Sequence, residues 1–109
     1  DILDDGSLAN RRTWAHLGRG APDGICLDAE GAVWYGDVPN QRCVRVREGG
    51  DVLATIDLDR GCFACMLGGE DRRILFLLAN EWVGSAAGGA VPAGQVLTVT
   101  APAPGDGKP

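Results

Sequence analysis

From residue 24 to residue 100 the chain is written in short hydrophobic runs with strand periodicity. No stretch carries the 3.6-residue period of an amphipathic helix three turns long. In "CVRVRE", Val44 and Val46 face one way and Arg45 and Arg47 the other. In "DVLATIDLD", Val52, Ala54, Ile56 and Leu58 alternate with Leu53, Thr55, Asp57 and Asp59. Both read as half-buried or edge-side strands. "RILFLLA" is short and continuously apolar, as a strand covered on both faces is. "GQVLTVTA" is rich in β-branched residues and bounded by Gly94 and Pro102. The runs are separated by turn sequences: "DAEG" between 24–28 and 32–36, "EGGD" between 43–47 and 51–58, and "LGGEDRR" between 62–67 and 74–79. Glycine, 17 of 109 residues, is well above the usual share of about 7%, and it lacks a G-X-Y period. A chain of this kind folds as many short antiparallel strands.

The strands group. Residues 24–28, 32–36, 42–47 and 51–58 make four in succession, and 62–67, 74–79 and 95–100 make three more. A unit of about 40 residues is the size of a four-stranded propeller blade. Residues 7–15, "SLANRRTWA", read as the outer strand of a preceding blade. The blades therefore lie near 16–60 and 61–100, within a propeller segment spanning 1–100. The tail 101–109, "APAPGDGKP", is Pro/Gly-rich and expected to be flexible. Propellers close with about four to eight blades. Two blades leave the ring incomplete, with sheet faces and edges uncovered. An isolated copy is expected to aggregate or stay partly unfolded.

Composition removes whole classes of function. Ten basic against fifteen acidic residues give a net charge of −5, the wrong sign for a nucleic-acid or anionic-membrane surface. The longest apolar run, "ILFLLA", is too short to span a bilayer as a helix. The opening "DILDDGS" is acidic where a secretory signal is basic. Cys26, Cys43, Cys62 and Cys65 sit in strand patterns and read as reduced core thiols of a cytoplasmic protein. "CFAC" has the spacing of a redox pair or half a zinc site. Yet an odd separation on a regular strand sends Cys62 and Cys65 to opposite faces, so packing is the better reading. His16, the sole histidine, falls on the expected outer strand and reads as structural or surface. Asp28 and Glu30 read as turn acids.

Asp23 stands between Pro22 and Gly24 at the mouth of the first strand. Pro-Asp-Gly is a common turn sequence, and on the residues alone a turn is the plainer reading. Three stretches together say more: "N-R-R" at 10–12, "P-D-G-I-C-L-D-A-E-G-A-V-W" at 22–34 and "F-A-C-M-L-G-G" at 63–69. With "GQVLTV" they resemble the C-terminal third of the regucalcin / gluconolactonase family, which includes the luciferin-regenerating enzymes. The resemblance implies an all-β, six-bladed propeller with one divalent metal (calcium, zinc, manganese or magnesium) near its axis. It implies hydrolysis of small cyclic esters such as sugar lactones. It makes Asp23 a metal ligand and general base. The other metal ligands of the family, a glutamate and an asparagine, lie outside this sequence, so the chain carries one ligand of three.

In such a ring the loops on Asp23's side of the molecule are 17–23, 36–42, 59–62 and 80–94. They carry Asp37, Asn40, Gln41, Glu81 and Trp82. Asp37, Asn40 and Trp82 are the candidate substrate-contacting rim, and "NEWVGSAAGGAVPAG" is a candidate lid. Trp14, Trp34, Phe63 and Phe76 are expected between sheets. Three readings result. The first is a metal-dependent lactonase segment. The second is a non-catalytic propeller binding module, since a fold does not dictate function. The third is a two-blade chain that completes its ring with a companion chain or with copies of itself.

Overall fold

A computed structural model describes residues 1–82 and 92–107. Seven strands are present among them: β1 (Pro22–Leu27), β2 (Val33–Asp37), β3 (Arg42–Val46), β4 (Val52–Asp57), β5 (Gly61–Gly68), β6 (Ile74–Asn80) and β7 (Gln95–Thr100). They form a four-stranded sheet in the order β1-β2-β3-β4 and a three-stranded sheet in the order β5-β6-β7. Every pairing is antiparallel and sequential. The structure is all-β, a partial propeller whose units match the two expected from sequence. No helix among the described residues is long and apolar enough to cross a membrane.

The period-two pattern builds the core. Cys26, Trp34 and Cys43 point inward from the first sheet, and Cys62, Cys65, Leu67, Leu75 and Leu77 meet them from the second. Ala54, Ile56, Leu97 and Val99 close the layer. The opposite face of the first sheet holds Tyr35, Val44 and Val46, covered in part by Trp14 and Leu17. The central strands β2 and β3 are thus buried on both faces.

The inner strands β1 and β5 pack backbone to backbone at one end. A Cβ on Gly24 would lie 2.7 Å from Ala64 Cα, and one on Gly36 would lie 2.6 Å from the Cys62 carbonyl oxygen. No side chain fits at either position.

Four expectations are corrected. Residues 7–15 are not a strand: Ile2 and Leu8 make an isolated bridge, and the Trp14 carbonyl accepts from the Gly49 N–H. With no neighbouring strand on that side, the segment has no ladder to join. Residues 101–107 are not a loose tail. Ala101, Ala103 and Gly105 are buried, Ala29 N–H donates to the Pro104 carbonyl, and Asp106 N–H to that of Leu27. The small residues let that segment lie flat against the β1–β2 turn. Cys62 and Cys65 share the core face, because a β-bulge at Phe63 inserts one extra residue between them and reverses the parity. Core packing of the thiols holds, and all four are free and buried.

Asp28 is more than a turn acid. Its carboxylate accepts the Glu30 and Ala32 N–H groups at 2.9 and 3.1 Å and the Arg45 Nε at 2.7 Å, fully within the protein. Arg45 also donates to Glu30 at 2.6 Å.

Candidate functional site

Asp23 stands on a β-bulge. Pro22 pairs with Asp37 and Ile25 with Tyr35, so Asp23 and Gly24 together face the single Gly36. A bulge kinks the strand and re-aims its side chain. Pro22 has no N–H to add to the ladder, and Gly24 is the residue that lets β1 press against β5. Asp23 is exposed, and no donor among the described residues reaches its carboxylate.

The neighbouring strand repeats the device. Phe63, about 40 residues on, is the bulged residue of β5. Asp23 and Phe63 share a cleft of about 250 Å³ with Ala21, Val38, Pro39 and Trp82. One carboxylate therefore sits among mostly apolar walls, with an exposed indole at the rim. That is the usual make-up of a small-molecule site: apolar walls and few polar groups.

Of the residues expected to line a site, the structure brings Asp23 and Trp82 together. Asp37 and Asn40 do not line the cleft. Asp37 is fully buried, and both its oxygens accept from Asn40 Nδ2, at 2.8 and 3.0 Å. Arg42 Nε adds an ion pair at 2.9 Å and the Ala21 N–H a bond at 3.4 Å. Asn40 also donates to the Arg19 carbonyl at 3.0 Å. These groups brace the loop that delivers Pro22 and Asp23, and the Asp37 carboxylate and the Asn40 amide nitrogen are engaged there. Gln41 is similarly occupied, its side chain reaching the Asp59 carbonyl at 3.5 Å. His16 is exposed, as expected. The candidate lid falls largely on residues 83–91, outside the described residues.

Phe63, Val38 and Pro39 were missed as cleft residues. The signal for Phe63 was available: the 40-residue repeat places it where Asp23 stands in the preceding unit.

Among the described residues no three His, Cys, Asp or Glu side chains are placed to share a metal ion. A hard dication takes six or more oxygens or keeps several waters. Asp23 could supply one oxygen to such a site, and no second and third donor stand beside it among the described residues.

Residues 1–81 match the family described as "SMP-30/Gluconolactonase/LRE-like region". The chain belongs to this family. The chain is similar to regucalcin of Danio rerio, 33% identical over 79 residues, which are 69% of this chain and 27% of that protein. It is 38% identical to regucalcin of Xenopus laevis over 80 residues, 65% of this chain and 26% of the other. A solved luciferin-regenerating enzyme superposes with a TM-score of 0.73 at 23% identity, covering 93% of this chain and 36% of that one. This SMP-30/gluconolactonase-family chain thus spans about a quarter of the length of the curated relatives it matches.

Proposed function

We propose that the chain is a segment of a lactonase-type hydrolase, with Asp23 as its acid–base group. The observation behind this is the position of Asp23: an exposed carboxylate, without a donor among the described residues, on a bulge that opens into an apolar cleft. The substrate class is a small cyclic ester, such as a sugar lactone. Its ring would lie between Phe63 and Trp82, whose π faces suit the C–H face of a sugar. Asp23 would take a proton from the water that attacks the ester carbonyl. That proton then serves the ring oxygen as the ester opens to a hydroxy acid. The Asp37–Asn40–Arg42 network holds the approach to Asp23 fixed, so little reorganisation is needed when the water is engaged.

Asp23 is also the oxygen donor this chain would offer to a divalent metal (calcium, zinc, manganese or magnesium), which would polarise the ester carbonyl. Further donors would come from the blades that complete the ring. Ile25 and Leu27 on one outer face, and Met66, Leu78 and Val96 on the other, are 45–67% exposed. We propose that further blades of the same ring cover these faces, carried by a companion chain. Three copies of this chain would be the alternative.

The test is hydrolysis of a sugar δ-lactone by the ring-complete protein with calcium, zinc, manganese or magnesium in turn. Asp23→Asn should remove activity and leave the fold unchanged. Full activity in that variant would move the chemistry elsewhere. Binding without turnover would favour the non-catalytic module. Native mass by light scattering separates the two assemblies: copies of this chain alone, or a second polypeptide.

A further inference from the structure

The four thiols converge from both sheets. Cys26 on β1 and Cys65 on β5 bring their sulfurs to 3.9 Å, the contact distance of two unbonded sulfurs. The remaining thiols, Cys43 and Cys62, are fully enclosed. Cys26 differs from them in one respect. It is 9% exposed and forms part of the wall of a surface cleft of about 260 Å³, beside Met66, Leu67, Arg72 and Gly105. A small polar oxidant can enter there, while Cys43 and Cys62 have no such access.

We propose that Cys26 and Cys65 form a redox-modification site, converted by a hydroperoxide into a disulfide that ties the inner strand of one sheet to the inner strand of the next. The bond to be made is about 2.05 Å long, and rotation of the two side chains brings the sulfurs in from contact distance. Cys26 is the attacking sulfur, since it lines the cleft by which the oxidant arrives and Cys65 does not. It attacks one oxygen of hydrogen peroxide. The O–O bond breaks, Cys26 becomes the sulfenic acid, and the departing hydroxide takes the Cys26 proton to give water. The Cys65 sulfur then attacks the Cys26 sulfur, the S–O bond breaks, and the second hydroxide leaves as water with the Cys65 proton. Two thiols give up two electrons and two protons, and one peroxide becomes two waters.

This is not the C-x-x-C pair that the sequence offers. The bulge at Phe63 turns both Cys62 and Cys65 inward, but the sulfur that meets Cys65 from the solvent side is on β1. The cross-link would lie three residues from Asp23, in the same strand.

The experiment treats the protein with hydrogen peroxide at neutral pH, then denatures and blocks free thiols with N-ethylmaleimide. Intact mass should show two hydrogens lost and two maleimides added in place of four. Peptide mapping, with fragment spectra that separate Cys62 from Cys65, should place the link at 26–65, and dithiothreitol should reverse it. Cys65→Ser should stop the cross-link and leave a Cys26 sulfenic acid that dimedone traps, while Cys43→Ser should leave the cross-link in place. A 43–62 or 43–65 link, mixed pairings in equal yield, a sulfinic acid at Cys26 without a link, or four maleimides throughout would overturn the proposal. Mapping of the unsubstituted protein decides this even where a variant fails to fold.

Discussion

Replacing Asp28 with alanine is expected to destabilise the protein by about 3–5 kcal/mol, the cost of stranding one member of a buried ion pair. Arg45, 6% exposed, would lose its 2.7 Å partner and keep only Glu30. The Glu30 side chain is 65% exposed, so that contact returns no more than about 1 kcal/mol. The substitution also removes the acceptor of the Ala32 N–H, a group inside a residue that is 1% exposed. Leaving such a donor unpaired costs about 1–3 kcal/mol, which at its lower end cancels the Glu30 return and leaves about 3–5 kcal/mol as the least expected loss. Asp28→Asn keeps an oxygen for the two turn N–H groups but sets an NH2 donor against Arg45 Nε, so the ion-pair loss remains, less the Glu30 return, and about 2–4 kcal/mol is expected. Urea unfolding followed by Trp34 fluorescence measures both, since that indole is buried. With a slope of about 1–3 kcal/mol per molar urea, the alanine midpoint should fall by at least about 1 M. The decisive comparison is the pair of Asp28→Ala with Arg45→Leu. Removing both charges should cost less than removing Asp28 alone. If the single variant loses under about 1 kcal/mol, or the double variant is worse than the single, the buried-pair reasoning is wrong.

Gly36→Ala would push a methyl group against the Cys62 carbonyl oxygen, and a loss of about 1–3 kcal/mol is expected by the same urea assay. Trp82→Ala should leave stability within about 0.5 kcal/mol, because the indole is largely exposed, and should raise KM for a lactone with little change in kcat. Cys26 and Cys43 are pushed up, each chiefly by donating a hydrogen bond to a neighbouring thiol, Cys65 for Cys26 and Cys62 for Cys43. The folded protein keeps protons that the unfolded chain releases above the ordinary thiol value of 9.0. The stability these two thiols contribute should therefore be full below that pH and fall above it, by about 1.4 kcal/mol per unit for each thiol. Urea midpoints on either side of that pH, with Cys43→Ser as control, check the slope.

The strands were legible because alternation is a local signal: Val44 and Val46 do face away from Arg45. What alternation could not say is that the other face is covered as well. Arg45 follows Cys43 inward, and its partner Asp28 comes from a turn that no local pattern ties to β3. Bulges defeat parity for the same reason. One inserted residue at Phe63 is invisible in a pattern of apolar letters, and it moved Cys62 and Cys65 onto one face. The place of Asp23 at the mouth of the first strand was legible from its Pro-Asp-Gly setting, while its chemical role rests on the family resemblance and is a proposal. Trp82 could be placed by loop position. Asp37 and Asn40 were indistinguishable from rim residues in sequence, since a loop carboxylate reads alike whether it faces a ligand or closes a hydrogen-bond network. The tail misled because Pro and Gly mark both loose chain and flat chain, and only the contact with residues 27–29 separates the two.

That contact sets an order of events during synthesis. The bonds that hold residues 27–29 come from residues 104–106, which leave the ribosome after all seven strands. At roughly 5–20 residues per second, the first turn waits about 4–15 s for the segment that clasps it. Until then the Asp28–Arg45 pair lacks the covering that keeps it dry, and β1 can open. The strand that carries Asp23 is thus among the first to leave the ribosome and receives its last backbone contact only when the chain is almost complete.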